Sequence, residues 1–171
     1  MIQVLENPKT ENYEKFKKFV LSNDFPWRHN VSTNMPFYSH VFLQRPELNG
    51  YSESHSKWTN QNLIVMSELV DYNGLYKDLP YFFLSSNANA THPDAGHQYS
   101  DPHIDHPHTP HSNLIVYLTD TDGETIVENK KHSPKEDDVI LFTGKHYMKR
   151  PSKGRRVILI STIFDYNKNN D

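Results

Sequence analysis

Residues 113–128 read NLIVYLTDTDGETIVE. Two short runs rich in β-branched and other apolar residues, 113–120 and 124–128, flank a polar turn that contains the pair Asp122-Gly123. An Asp-Gly pair between two such runs is typical of a tight turn between strands. This stretch therefore predicts two short antiparallel strands in succession, and the same texture recurs on both sides of it.

The β-rich texture extends from residue 80 to residue 164. Short runs of Val, Ile, Phe and Tyr are separated by Pro, Gly, Asn and Asp, and no helical pattern lies between them. The predicted strands are 81–88, 103–105, 113–120, 124–128, 138–143, 146–150 and 156–164. Seven short strands without intervening helices favour an antiparallel sandwich or barrel.

The first 80 residues have a different pattern. Two helices, 8–23 and 59–74, and one strand, 37–44, are predicted there. Asn7 is the expected cap of the first helix, with Pro8 at its first position. We expect a single domain over residues 1–171 of mainly β (α+β) class. Residues 1–80 would form a helical and strand support region, and residues 81–165 the core.

The composition restricts the chemistry of any site. The 171 residues carry a formal charge of −3 and include 11 His but no Cys. Disulfides and thiolate metal sites are therefore excluded, and a metal would be held by His, Asp or Glu. The charge gives no electrostatic case for a nucleic-acid partner. No apolar run approaches the ~18 residues of a membrane span, so we expect a soluble, cytoplasmic protein without a membrane partner.

A histidine-rich stretch, residues 102–113, reads PHIDHPHTPHSN. His103 and Asp105 are two residues apart, so on a strand they share one face and Ile104 points to the other. An imidazole and a carboxylate on one face are two-thirds of a facial 2-His-1-carboxylate site, which leaves positions on iron(II) open. An H-x-D tripeptide also occurs by chance in a His-rich chain, so this pair alone does not distinguish a metal site from a chance occurrence.

A different position is predicted for the remaining histidines of this stretch. Pro107 and Pro110 remove ladder donors and favour a loop. We therefore interpret His106, His108 and His111 as loop residues at the mouth of a site, solvated or facing a substrate.

A third ligand and an anion-binding residue are predicted on later strands. His146 follows the apolar strand 138–143. If a hairpin turn centres near Pro151, Arg156 pairs opposite His146 and shares its face. A buried arginine beside a metal needs an anionic partner, and it holds a carboxylate through two parallel charge-assisted hydrogen bonds. A surface pair of arginines at a strand start is the alternative reading of this segment.

The ordered set of motifs resembles the Fe(II)/2-oxoglutarate-dependent oxygenases, in particular their prolyl-hydroxylase-like branch. The matching elements, in chain order, are His103-Ile104-Asp105, Ile115-Val116-Tyr117-Leu118, Gly123-Glu124-Thr125, Ser133-Pro134 before Val139-Ile140-Leu141-Phe142, His146, and Gly154-Arg155-Arg156. They fall within roughly residues 81–165, about half of the chain. H-x-D alone is a weak signal, whereas the ordered set is specific.

The resemblance implies a double-stranded β-helix (jelly-roll) core with flanking N-terminal helices. It implies that His103, Asp105 and His146 hold Fe(II) and that Arg156 binds the distal carboxylate of 2-oxoglutarate. With O2, such an enzyme converts 2-oxoglutarate to succinate and CO2 and hydroxylates a small molecule or a protein side chain. Relatives carry Asn or Tyr on the strand before H-x-D, which makes Asn89 and Tyr99 the candidates for a further cosubstrate contact.

One departure from the family pattern lies two residues after Arg156. Many relatives have Ser or Thr there, whereas this chain has Ile158. Part of the grip on 2-oxoglutarate must therefore come from other residues.

Two alternative functions remain open at this point. A nucleic-acid dealkylating oxygenase of the same superfamily would use the basic run 145–155 on phosphates and Trp58 or a Tyr to stack on a base. A non-enzymatic, cupin-like metal-binding jelly roll is the second, and a zinc loop of His106, His108 and His111 would fit it. The prime substrate, small molecule or peptide, and the oligomeric state have no readable signal in the sequence.

Overall fold

The protein is mainly β, as its sequence predicts. The structure, a computed structural model, describes residues 1–77 and 79–165. The strands are β1 (Ile2–Leu5), β2 (Arg28–Ser32), β3 (Met35–Gln44), β4 (Glu53–Ser54), β5 (Phe83–Thr91), β6 (His111–Tyr117), β7 (Thr125–Val127), β8 (Lys130–His132), β9 (Val139–Phe142), β10 (His146–Met148) and β11 (Arg156–Phe164). The helices are α1 (Glu11–Val20), α2 (Pro46–Asn49) and α3 (Thr59–Tyr72).

The strands form two antiparallel sheets. The large sheet has the order β1-β9-β6-β11-β5-β3-β2, with β4 paired to one end of β3, and the small sheet has the order β10-β7-β8. Strands from the first 80 residues belong to the large sheet, since β1 pairs with β9 and β3 pairs with β5. Both halves of the chain therefore build the same sheet.

The hairpin predicted between β10 and β11 is wrong. Strand β10 pairs with β7 in the small sheet, whereas β11 lies between β5 and β6 in the large one. Arg156 is consequently opposite Thr91 of β5, and His146 is opposite Val127 of β7. The chain crosses from one sheet to the other between these strands, a connection that a hairpin rule does not foresee.

The predicted strands differ in how well they match. Strand β11 has the predicted bounds, 156–164. Residues 103–105 do not form a strand; a single antiparallel bridge joins His103 to His146. The polar strands β2 and β8, with sequences RHNVS and KKH, were not predicted because Val31 is the single β-branched residue in them and neither has a residue of Phe, Tyr or Trp.

Both predicted helices are confirmed, but α1 is shorter than predicted at both ends and α3 ends at Tyr72 rather than at residue 74. Helix α1 begins at Glu11 rather than at Pro8, because Thr10 is the cap and its hydroxyl accepts a hydrogen bond from the Tyr13 backbone N–H at 3.1 Å. Lys9 has a φ of 48°, so the chain is not helical before Thr10. None of the helices in the described ranges has the length and apolar character that a membrane span requires.

The large sheet has an apolar face and a cavity face. Alternate residues of a strand point to opposite sides. On one side, Leu159 of β11 and Ala88 of β5 pack in a core with Phe16 of α1 and Met66 of α3. Leu159 is fully buried, which contributes about 1.5–3 kcal/mol. The opposite side of the same strands lines a cavity.

Candidate active site

A cavity of about 460 Å³ is lined by residues of both sheets. This volume lies within the range of about 300–1,000 Å³ that is usual for small-ligand pockets. Five of the six residues that the sequence places in the site line this cavity: His103, Asp105, His146, Arg156 and Asn89.

Three of these side chains converge at one wall. His103 and His146 exchange two backbone hydrogen bonds of 2.9 Å, which places their rings side by side with centroids 4.4 Å apart. The Asp105 carboxylate lies 3.7 Å from His103 Nε2 and 3.5 Å from His146 Nε2. One ligand atom from each residue lies within 4.8 Å of the other two. Ile104, between the two ligand candidates, points away from them and is 44% exposed. Because the three ligand atoms lie so close together, the arrangement can hold one metal ion.

The donor set fits iron(II). His103 Nδ1 lies 3.0 Å from the Asp101 carbonyl oxygen and His146 Nδ1 lies 3.3 Å from that of Gly144. Because a carbonyl only accepts, each Nδ1 carries the proton and each Nε2 has a free lone pair toward Asp105. Asp105 Oδ2 is buried and has no hydrogen-bond partner among the described residues. Two nitrogens and one carboxylate oxygen are the ligands of non-heme iron(II) sites.

The environment of His146 keeps its imidazole neutral. Burial lowers the pKa of the His146 imidazole below its ordinary value, and the Asp105 carboxylate offsets only part of this effect. The Phe142 ring lies against it, with centroids 4.9 Å apart. A neutral, oriented imidazole is the form that binds a metal.

Arg156 is an anion-binding candidate in the same cavity and is only 3% exposed. Its Nε donates to the Gly123 carbonyl oxygen at 3.1 Å and its Nη2 donates to Thr125 Oγ1 at 2.8 Å. A Cβ on Gly123 would lie 2.9 Å from Arg156 Cδ, so only glycine fits there. Among the ion pairs of the described chain, none gives Arg156 a carboxylate. A buried, unpaired guanidinium is costly unless an anion binds it.

Two residues beside Arg156 had no role in the sequence prediction. Tyr117 is fully buried under the guanidinium, whose carbon lies 5.3 Å from the ring centroid. The Tyr117 hydroxyl is 2.5 Å from Thr125 Oγ1. Burial raises the pKa of the Tyr117 phenol, so it stays a donor. Tyr117 and Thr125 therefore supply hydroxyl groups beside Arg156, whereas Ile158, at the position where many relatives have Ser or Thr, supplies none. The sequence could have identified both residues, because Tyr117 belongs to the Tyr-Leu motif and Thr125 to the Gly-Glu-Thr motif.

The two further cosubstrate candidates lie in different places. Asn89 of β5 points into the cavity, between Ile158 of β11 and Ser39 of β3. Tyr99 does not reach the cavity: it is 43% exposed and its ring lies 6.1 Å from that of Tyr147. It lines a separate outer groove.

The prediction that His106, His108 and His111 lie in an open loop is correct only for His108, which is exposed. His106 is 1% exposed, with Nδ1 2.5 Å from Glu47 Oε1 and Nε2 2.8 Å from Thr162 Oγ1. His111 is buried as the first residue of β6. The loop that follows Asp105 is therefore anchored on both sides by buried contacts.

Comparison with known proteins adds a likeness of fold. No protein-family model matches the sequence, and no curated protein matches it. An oxidoreductase of the 2OG-Fe(II) oxygenase family from Burkholderia pseudomallei superposes with a TM-score of 0.74 at 11% identity, over 95% of this chain and 85% of that chain.

Two prolyl hydroxylases are also similar in structure. The enzyme from Trichoplax adhaerens, in complex with a hypoxia inducible factor oxygen degradation domain peptide fragment, gives a TM-score of 0.62 at 14% identity over 98% and 84% of the two chains. The viral collagen prolyl hydroxylase of Paramecium Bursaria Chlorella virus-1, in a 2OG complex, gives 0.58 at 16% identity over 95% and 94%. The chain has the fold of these oxygenases, and the resemblance seen in its motifs is confirmed at that level.

Proposed function

We propose that the protein is an Fe(II)- and 2-oxoglutarate-dependent dioxygenase that hydroxylates a small molecule or a protein side chain. The observation that carries the proposal is the convergence of His103, Asp105 and His146 in one cavity with Arg156, a buried cation that no acidic residue of the described chain neutralises. The fold shared with 2OG-Fe(II) oxygenases supports it. Two sheets on either side of the cavity fit a double-stranded β-helix, or jelly roll.

In this proposal His103 Nε2, His146 Nε2 and one Asp105 oxygen hold Fe(II). The bound metal, with 2-oxoglutarate and O2, supplies the oxidation of a C–H bond coupled to decarboxylation of the oxoacid to succinate and CO2. The protein keeps the three ligands on one side, so that the other positions stay open. The paired backbone hydrogen bonds between His103 and His146 fix the two imidazoles before the metal arrives.

Arg156 would bind the distal carboxylate of 2-oxoglutarate through charge-assisted hydrogen bonds. The hydroxyls of Tyr117 and Thr125 lie beside the guanidinium and would complete this subsite. The amide of Asn89, on the facing part of β5, is the candidate for a further cosubstrate contact. The oxoacid end would then extend toward His146 along the same cavity.

Residues 1–80 would support the catalytic core of residues 81–165 within one domain. Strand β3 contributes Phe37, Val41 and Leu43 to the cavity wall. An apolar wall displaces water from the reacting groups, which strengthens the electrostatic interactions inside the cavity.

The test is anaerobic titration of the purified protein with Fe(II) and 2-oxoglutarate, followed by O2. We expect a weak visible charge-transfer band on assembly and succinate after O2 is admitted. His103→Ala should lose metal binding, whereas His108→Ala, a matched change in the exposed loop, should keep it. Absence of both the band and 2-oxoglutarate binding in the iron-loaded protein would refute the proposal.

A further inference from the structure

The charges that line the cavity do not balance when the proposed iron and 2-oxoglutarate are counted. Within the described chain, the lining side chains include two guanidiniums, Arg45 and Arg156, and one carboxylate, Asp105. Iron(II) adds two positive charges and 2-oxoglutarate removes two, while neutral imidazoles add none. One positive charge remains in excess. An unbalanced charge that is partly withdrawn from water is costly.

The excess charge lies at Arg45, at the opposite end of the cavity from Arg156. Arg45 follows the last residue of β3, and its Nη1 donates to the Asp105 carbonyl oxygen at 3.2 Å. The neighbouring His106 contacts Thr162, which lies six residues along β11 from Arg156, or ~20 Å of strand. A small dicarboxylate held between Arg156 and the metal therefore leaves Arg45 for a different anion.

No carboxylate of the described residues lies within salt-bridge distance of Arg45. Glu47, two residues along the chain, acts on Arg45 only at longer range, because its carboxylate is held 2.5 Å from His106 Nδ1. Burial raises the pKa of the Glu47 carboxyl, but the hydrogen bond from His106 and, more weakly, the charge of Arg45 outweigh it and lower the pKa. The contact with Asp105 uses one of the five N–H groups of the guanidinium. The remaining donors can form the bidentate pair that arginine makes with a carboxylate.

The part of the wall that β5 and β11 form at this end of the cavity is polar and uncharged. Ser85 and Thr162 lie 2.9 Å apart across β5 and β11, and both line the cavity together with Asn87. Hydroxyl and amide groups suit the polar substituents of a small molecule, and the cavity volume of about 460 Å³ is in the small-ligand range.

We infer that the prime substrate is a small carboxylic acid whose carboxylate is bound by Arg45, while the C–H bond to be oxidised lies at the metal. This inference rests on the proposed function and names its substrate class. One oxygen atom of O2 converts the substrate C–H to C–OH, and the other enters succinate as 2-oxoglutarate loses CO2. The substrate carboxylate neutralises the excess charge and is not consumed.

The inference is tested with protein that is loaded anaerobically with Mn(II) and 2-oxoglutarate. A panel of free L-amino acids, each paired with its primary carboxamide, is titrated by calorimetry. We expect at least one acid to bind about tenfold or more tightly than its amide, the effect of one charged hydrogen-bonded pair. Arg45→Gln should remove this preference and leave Mn(II) and 2-oxoglutarate bound, because the contact of Arg45 is with the backbone carbonyl of Asp105 and not with its carboxylate.

Arg28→Gln is the matched control, because it removes the same charge from the exposed strand β2 outside the cavity lining. It should keep the preference for the acid. Equal binding of acids and amides, or binding of no acid, overturns the substrate class while 2-oxoglutarate binding leaves the oxygenase proposal standing. Failure to bind Mn(II) and 2-oxoglutarate at all instead overturns the oxygenase proposal on which the inference rests.

Discussion

The two faces of the large sheet are built from the same strands but differ in chemistry. The face toward α1 and α3 buries apolar side chains such as Val157 and Leu159. The face toward the cavity carries Arg156, Asn87 and Asn89 on neighbouring positions of β11 and β5. Buried polar groups without full hydrogen bonding reduce stability. The apolar face therefore provides the stability that allows the cavity face to hold groups suited to ligands.

The largest effect on the cavity side is expected from His146→Ala, on β10 of the small sheet. The variant loses one of the three atoms proposed to hold the metal but retains the backbone hydrogen bonds to His103, which do not involve the side chain. We expect loss of stoichiometric Fe(II) or Mn(II) binding and of succinate formation, with the fold preserved. Metal analysis after gel filtration and circular dichroism measure the two properties. Retention of a full equivalent of metal would show that the triad is not the site.

On the apolar face, Leu159→Ala should reduce the free energy of unfolding by about 2–5 kcal/mol, because it leaves a cavity in a filled core. Ile160→Ala is the matched control on the next position. Ile160 is half-buried and already borders the open cavity, so its truncation should cost less. Urea unfolding measures both, and 2-oxoglutarate affinity of folded Leu159→Ala should equal that of the wild type. Equal losses of stability would contradict the division between the faces.

Arg155 and Arg156, at the start of β11, test the division between the two faces of the sheet at adjacent positions. Arg156→Gln should weaken 2-oxoglutarate binding by about 10- to 100-fold, the value of charged hydrogen bonds. Arg155→Gln should not, because Arg155 points toward the helices, where its Nη2 donates to the Leu21 carbonyl oxygen at 3.4 Å. Calorimetry on the Mn(II)-loaded proteins gives both affinities. A similar loss in both variants would mean that net charge, and not the cavity position, controls binding.

Local patterns in the sequence predicted a large part of this arrangement. Strand β11 follows from a continuous apolar run, and its bounds are as predicted. His103, Asp105 and His146 were selected from an i, i+2 pair and an ordered set of motifs, and the structure brings them together. The i, i+2 spacing and the order of motifs are both properties of the chain alone, which is why they could be read without a structure, although residues 103–105 do not form the expected strand.

Long-range contacts could not be read in the same way. His106 is buried because Glu47 and Thr162, 59 and 56 residues away, contact its two ring nitrogens. Strand β10 pairs with β7 rather than with the next strand. His146 and Arg156 therefore line the same cavity from different sheets, although the predicted hairpin placed them side by side. Partner choice between strands depends on the whole topology, and no single segment encodes it.

The rim of the apolar face carries a charged cluster that attaches α1 to the chain before β9. Asp137 contacts Lys17 Nζ at 2.5 Å, Lys9 Nζ at 2.8 Å and the Tyr13 hydroxyl at 2.5 Å. Burial raises the pKa of the Asp137 carboxyl, but the hydrogen bonds from Lys17, Lys9 and Tyr13 outweigh it and lower the pKa to about 2. The charged form of Asp137 is therefore favoured by folding.

The smallest predicted effect is the pH dependence of this cluster. Because the folded pKa lies below the ordinary value, the stabilisation is complete above about pH 5 and is lost as the pH falls through about 2. After solvent screening at the rim it should amount to roughly 1–2 kcal/mol. Asp137→Asn, which tolerates the φ of 70° at this position, should be less stable than the wild type at pH 5, and the difference should shrink as the pH falls through about 2. Urea unfolding across this range measures the difference. Glu136→Gln, at a more exposed partner of Lys17, is the control for the loss of a negative charge beside the same lysine. A constant difference between wild type and Asp137→Asn at all pH values would assign the effect to packing instead of charge.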